Sequence, residues 1–195
     1  MLIKNEFEVA APVEQVWAFF GDIPQVATCL PGTELTENLG DDKYAGRVAI
    51  RMGPVRLSFD GTAQVTERDE AAHQMAVDAS GSEARGRGQA SMTVTATLAR
   101  AGRGTKVAVA QDLQLAGAAA QYGRGMISDV SSVLMRDFAR NLQNRIDAAD
   151  RGESPEQARP AASSASGLTL GLRAALMALS RVFRRFFLPY RAPAS

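Results

Sequence analysis

The chain has 195 residues, and its 22 basic and 21 acidic side chains leave a net charge of +1. A single cysteine, Cys29, excludes an intrachain disulfide framework and favours a reducing, cytoplasmic compartment. Residues 151–195 carry seven arginines and two glutamates, a net of +5, which leaves 15 basic and 19 acidic residues before them. The mildly acidic body argues against nucleic-acid binding, whereas the basic tail suits an anionic surface.

A strand and two short helices are predicted at the N-terminus. Residues 2–9 alternate apolar and polar side chains, which indicates a strand and not the apolar segment of an export signal. Pro12 suits the first turn of a helix over residues 13–20, and Asp22 is placed to cap a second helix that ends near residue 27. Trp17 on the first helix is expected in the core, with the lining of a cavity as the alternative.

Antiparallel strands are predicted over most of the next 80 or so residues. Apolar side chains occupy alternate positions, so the sheet should have one covered face and one wet face. The segment 81–88 is rich in glycine, but it lacks both a dinucleotide-binding spacing and a P-loop Lys-Ser/Thr, so a hairpin loop is expected. The predicted strands span residues 43–52, 55–65, 73–79, 89–98 and 105–115, with a short edge strand at 34–39.

A long helix over residues 117–150 is the element that needs the sheet as its partner. Its opposite face is charged, and Gly117, Gly123 and Gly125 at its start indicate either ordinary loop geometry or a mobile gate. Steps of three and four residues give it one apolar stripe, formed by Tyr122, Met126, Val130, Val133, Leu134, Phe138, Leu142 and Ile146. The predicted fold is therefore α+β, a curved antiparallel sheet wrapped around a long C-terminal helix.

The facing apolar sides of this helix and sheet form either a solid core or a ligand cavity. Flexible side chains such as Met52 and the other inward methionines suit the lining of an apolar site. Gln111 falls on the apolar face, where it either donates to a ligand carbonyl or is a structural amide with partners. The candidate ligand-binding residues are Val48, Ile50, Phe59, Met75, Val77, Met92, Val94, Val109, Gln111, Leu113, Tyr122, Met126, Val130 and Leu134.

Catalytic and metal-binding residue types are scarce. His73 is the only histidine, Cys29 has no evident base, and alternation places no pair of carboxylates inward. No catalytic residue and no metal ligand is therefore predicted.

The chain changes character after residue 150. Residues 151–167 read as a flexible linker, because they lack aromatic residues and periodicity. Within the following segment, 168–195, helical spacing predicts a helix over residues 168–188, and its arginines make it too costly to span a membrane. The helix should therefore lie on the membrane surface; docking on the body or on a partner protein is the alternative. Its candidate membrane-binding residues are Leu172, Arg173, Leu176, Leu179, Arg181, Phe183, Arg184, Arg185, Phe186 and Phe187.

The order of these elements resembles the helix-grip (START-like, SRPBCC) fold. Several short stretches resemble the CoxG family of carbon monoxide dehydrogenase subunits, and together they extend the likeness over residues 1–148. They are residues 11–17 (APVEQVW), 30–32 (LPG), 53–55 (GPV), 59–61 (FDG), 102–105 (GRGT) and 115–123 (LAGAAAQYG).

The resemblance implies a non-catalytic accessory protein of an aerobic CO dehydrogenase-type molybdenum hydroxylase. Such a protein would recruit the enzyme to the inner face of the cytoplasmic membrane, by contact with anionic lipid, and would bind a hydrophobic small molecule, a quinone, without a covalent bond. Two other functions stay open: a lipid-transfer protein without a redox partner, and a cyclase- or hydrolase-like enzyme on the same fold. The expected division is a ligand-binding domain over 1–150, a linker over 151–167 and a membrane-surface segment over 168–195.

Overall fold

The structure is a computed structural model and describes residues 1–52, 55–86 and 88–152. A seven-stranded antiparallel sheet faces one long helix, with two short helices inserted after the first strand. In chain order the elements are β1 (Leu2–Val9), α1 (Val13–Phe20), α2 (Ile23–Cys29), β2 (Thr33–Gly40), β3 (Lys43–Met52), β4 (Val55–Asp69), β5 (Gln74–Glu83), β6 (Gly88–Ala101), β7 (Gly104–Gly117), a short 3₁₀ turn (Ala118–Gln121) and α3 (Arg124–Asp150). The predicted fold class is confirmed.

The sheet is a meander closed by its first strand. Its spatial order is β1-β7-β6-β5-β4-β3-β2, so β1 pairs with the last strand and β2 forms the far edge. Gly46, Gly61 and Gly81 lie opposite one another in β3, β4 and β5. A Cβ added at Gly61 would lie 2.0 Å from the carbonyl oxygen of Ser80. The glycines therefore allow a close approach of neighbouring backbones across the centre of the sheet.

Several element boundaries differ from the sequence prediction. The strand predicted over 73–79 is β5, which starts one residue later and continues to Glu83, so the first part of the expected 81–88 loop is strand. The long helix begins at Arg124, because Gly117 has a φ of 73° and the next residues form the 3₁₀ turn. Tyr122 thus precedes the helix.

Some predictions fall on residues that are not described. The side chain of Met52 is among these, and so are Gly53 and Pro54 of one resembling stretch. The predicted linker beyond Gly152 and the whole predicted membrane-surface segment also lie outside the described residues.

The buried core lies at one end of the space between sheet and helix. Its aromatic centre is Phe138 of α3, whose ring makes edge-to-face contacts with Phe7 at 5.8 Å and with Phe20 at 6.2 Å between centroids. Trp17 is buried in the same cluster, and its indole N–H donates to Glu70. The cluster consists of Val9, Ala11, Val13, Val16, Trp17, Phe20, Cys29, Met75, Ala96, Leu98, Val107, Val109, Phe138, Leu142 and Ile146.

Polar contacts fix the direction of α3 along β1. The backbone N–H of Ala10 donates to Gln143 Oε1 at 2.7 Å, and Asn5 Nδ2 donates to Ser131 Oγ at 3.2 Å. Helix and strand therefore run in the same direction. The C-terminal half of α3 covers the core, and its N-terminal turns extend towards the end of the sheet at which β7 finishes.

Candidate ligand site on the concave face

Beyond the core, the concave face of the sheet is mostly apolar, and several of its side chains stay accessible. Met92 of β6 is 37% exposed and Met126 of α3 is 49% exposed. Met92 lies opposite Leu113 of β7, so both side chains point to the same face. We call this region the open end; its apolar members are Val48, Ile50, Phe59, Met92, Leu113, Tyr122, Met126, Val130 and Leu134, all of them half-buried or exposed.

The other predicted ligand-binding residues divide between the core and its border. Met75 and Val109 are 3% and 6% exposed and belong to the core. Val77 and Val94 are partly buried and pack against it. Nine of the 14 candidates thus surround the open end, four belong to or adjoin the core, and Gln111 lies between the two groups.

A short hydrogen-bond chain orients Gln111. Asn5 Nδ2 donates to Ser131 Oγ, and the Ser131 hydroxyl donates to Gln111 Oε1 at 2.8 Å. Because Ser131 uses its proton in this bond, the oxygen of the Gln111 amide is turned towards the helix and its Nε2 is turned away. No described residue accepts from that Nε2, which leaves an oriented donor beside the open end.

Glu83 is a concave-face carboxylate that the sequence analysis missed. It lies opposite Phe59, so it points to the helix-facing side of the sheet, and it is only 5% exposed. Its Oε2 accepts from the backbone N–H of Arg85 at 3.0 Å. The sequence did not predict that Glu83 faces the helix, because residues 80–83 include no apolar side chain. Without apolar side chains, a strand shows no alternation from which its two faces can be assigned.

The nucleophilic and titratable residues singled out in the sequence lie away from the open end. Cys29 is fully buried in the core, and this burial raises the pKa of its thiol to about 11, although nearby Arg145 acts in the opposite direction. The His73 ring packs edge-to-face on Trp17 with centroids 5.5 Å apart. Neither residue faces the concave site.

Two absences hold for the residues that the structure describes. They contain no group of three or more His, Cys, Asp and Glu side chains placed to hold a metal ion. Within the same described part of the chain, no helix is long and apolar enough to cross a membrane.

The opposite face of the sheet is polar. A shallow groove of about 380 Å³ lies there, between β3 and β7. Hydroxyl, amide and charged side chains dominate its lining, which consists of Lys43, Thr62, Gln64, Asp78, Ser80, Ser91, Thr93, Asp112 and Gln114. Ala79 and Met92 also border the groove, although alternation along their strands turns their side chains towards the concave face. This composition lacks the apolar surface typical of a site for a hydrophobic ligand, so the open end is the better candidate.

A curved sheet, a long covering helix and an apolar concave surface with one oriented amide define a START-like helix-grip protein. The model of the CoxG family of carbon monoxide dehydrogenase subunits matches residues 6–147. The chain belongs to this family. A comparison with curated proteins gives no match.

Solved structures agree on the fold. A conserved protein from Geobacillus kaustophilus superposes with a TM-score of 0.68 at 22% identity, covering 76% of this chain and 97% of that one. The Zhui aromatase/cyclase from Streptomyces sp. R1128 superposes with a TM-score of 0.57 at 15% identity, covering 79% of this chain and 99% of that one. A START superfamily protein from Mycobacterium smegmatis superposes with a TM-score of 0.52 at 16% identity, covering 76% of this chain and 98% of that one. At these identities the similarity establishes the fold alone.

Proposed function

We propose that this protein is a non-catalytic accessory protein that binds a hydrophobic small molecule, a quinone, at the open end. Membership of the CoxG family supports a CO dehydrogenase-type molybdenum hydroxylase as its partner. The observation that carries the proposal is the accessibility of Met92 and Met126 on a face that is mostly apolar. A solid core would have buried these side chains.

The chemistry of the open end suits a quinone. Small-molecule sites combine an apolar lining with a few placed polar groups, and here that group is the Gln111 amide. Its free Nε2 would donate to a quinone carbonyl, while methionine and phenylalanine side chains would contact the ring and the isoprenoid chain. These side chains can hold and orient a ligand, and none of them needs to exchange a proton with it.

The tail supplies the membrane part of the proposal. Residues 168–195 would lie on the inner face of the cytoplasmic membrane, where each arginine near anionic lipid contributes about 1 kcal/mol and the leucine and phenylalanine side chains add burial. Quinones reside in the membrane, so this contact would bring the open end to its ligand. The 1–150 domain would then present the ligand to the dehydrogenase.

One observation favours a second candidate, a cyclase- or hydrolase-like enzyme. Glu83 places a buried carboxylate on the concave face, where an acid or base could act on a bound molecule. A lipid-transfer protein would use the same open end but would have no dehydrogenase partner. Conversion of the bound molecule would indicate the enzyme, and retention of a phospholipid in place of a quinone would indicate lipid transfer.

The first test replaces the proposed donor. Gln111→Glu keeps an acceptor for the Ser131 hydroxyl but removes the N–H group, so a carbonyl ligand should bind about tenfold more weakly, a loss of about 1.4 kcal/mol. Gln114→Glu makes the same charge change on the outer face of the same strand and should bind normally. Quinone binding in detergent, followed by fluorescence quenching of Trp17, measures both. Equal affinity of the two variants would contradict a ligand contact at Gln111.

A further inference from the structure

The open end displays large apolar side chains that no described residue covers. Met126 and Met92 are the relevant pair, since the other exposed large apolar side chains, Leu2 and Leu39, lie elsewhere in the molecule. Contiguous exposed apolar surface marks a docking site for another apolar surface or a membrane. An occupant that covers Met126 and Met92 would remove this apolar surface from water when no ligand is present.

We infer that residues 168–187 of the same chain dock on the open end when the protein is away from a membrane. The segment repeats apolar residues at helical spacing, so a helix there would place its leucine and phenylalanine side chains on one face and its arginines on the other. That face matches a groove of methionine, valine and phenylalanine. The inference deepens the proposed function, on which it rests, because the same face would also contact lipid.

The length of the chain allows this contact. Met126 lies 25 residues before Arg151 on α3, a distance of roughly 37 Å at 1.5 Å per residue. The 15 residues between Gly152 and residue 168 can span about 50 Å when extended. The segment can therefore return along α3 to the open end.

Charge favours the same arrangement over long range. The chain before Arg151 carries 15 basic and 19 acidic residues, and the remainder has a net charge of +5. Opposite net charges raise the local concentration of the tail near the body. An anionic membrane offers a denser negative surface, so it would compete for the tail and uncover the open end.

The test measures the accessibility of one introduced thiol in the full chain. Met126→Cys places a cysteine on an exposed position of the open end, and a maleimide reports how often it is covered. Cys29 should not react with the maleimide, because it is fully buried and its pKa of about 11 keeps it protonated near pH 7. Leu2→Cys, 62% exposed on the far side of the sheet, is the matched control.

A tail that is docked most of the time should slow the labelling of Met126→Cys about tenfold. Replacement of Phe183, Phe186 and Phe187 by serine in the same full-length chain should restore the rate, and Leu2→Cys should label equally in both backgrounds. Equal Met126→Cys rates with and without the three phenylalanines would overturn the inference. If the protection disappears on tenfold dilution, a second copy of the protein covers the thiol, and the inference would also be overturned.

Vesicle pelleting separates this inference from the proposed function. Full-length protein should pellet with anionic vesicles, and the triple serine variant should not. If the triple variant loses pelleting while the labelling rates are equal, the tail binds membrane but does not cover the open end. If it loses the protection but pelleting is unchanged, the tail covers the open end, and the proposed membrane contact of the three phenylalanines is wrong.

Discussion

At the scale of single residues, Arg145 is the least satisfied group in the described part of the chain. It is only 8% exposed, and its Nε has no hydrogen-bond partner among the described residues. A buried donor without a partner costs about 1–3 kcal/mol. The neighbouring turn of α3 is better satisfied, since Asn141 Nδ2 donates to the carbonyl oxygen of Cys29 at 3.0 Å.

Arg145→Met should therefore stabilise the fold. Methionine keeps the apolar stem and removes the guanidinium, so we expect the free energy of unfolding to rise by about 1 kcal/mol. Arg140→Met is the control, because Arg140 is exposed and paired with Asp137 at 2.7 Å; it should change stability by no more than about 0.5 kcal/mol. Urea denaturation measures both. A less stable Arg145→Met would show that the guanidinium has a stabilising role.

At the scale of elements, the glycines have opposite roles. Gly61 lies where a Cβ would meet the Ser80 carbonyl oxygen at 2.0 Å, so the sheet needs a glycine there. Gly125 lies in the first turn of α3, and a Cβ there would meet nothing within 4 Å. The first glycine is required by the close approach of two strands, whereas the second only weakens a helix.

Alanine substitutions should therefore change stability in opposite directions. Gly61→Ala should lower the free energy of unfolding by about 1–3 kcal/mol, because the backbone of β5 must move. Gly125→Ala should raise it by up to about 1 kcal/mol through helix propensity. Thermal unfolding of the two variants beside the parent is the measurement. If Gly61→Ala is tolerated as well as Gly125→Ala, the strands are not held as closely as described.

The sequence predicted elements well wherever alternation or helical spacing was regular. The first helix and the strand over 43–52 have their predicted limits, since Pro12 and the clean alternation after Lys43 leave little freedom. The predicted limits of strands and helices were wrong where small or polar residues replaced apolar ones, as in residues 80–83 and in the glycine- and alanine-rich start of the long helix. There, pairing with neighbouring strands decides the structure, and a single-sequence pattern contains no information about that pairing.

The sequence predicted which face of the sheet carries the candidate site, but not where on that face the site lies. Alternation placed Met75 and Met92 on the same side of the sheet, yet one is in the core and the other is exposed. The difference arises because α1, α2 and the C-terminal half of α3 cover only one end of that face. The hydrogen bond between Ser131 and Gln111 likewise joins residues 20 positions apart, and it depends on where the helix crosses the sheet.

At the scale of the whole molecule, the two ends of the space between the sheet and α3 have different roles. The closed end contains the aromatic cluster around Phe138 and provides the stability of the fold. The open end keeps Met92 and Met126 accessible, and we propose that a hydrophobic small molecule occupies it. Filling that end should remove binding without unfolding the protein, because the stabilising contacts lie elsewhere.

The most direct test is to count bound quinone after Met92→Trp. The purified chain is incubated with quinone-containing vesicles and separated from them, and the quinone per chain is measured by mass spectrometry alongside the melting temperature. We predict about one quinone per parent chain, a clear loss in Met92→Trp at an unchanged melting temperature, and normal binding in Thr93→Trp, which places the same ring on the outer face. No quinone on the parent chain, or equal binding by Met92→Trp and the parent, would contradict a ligand site at the open end.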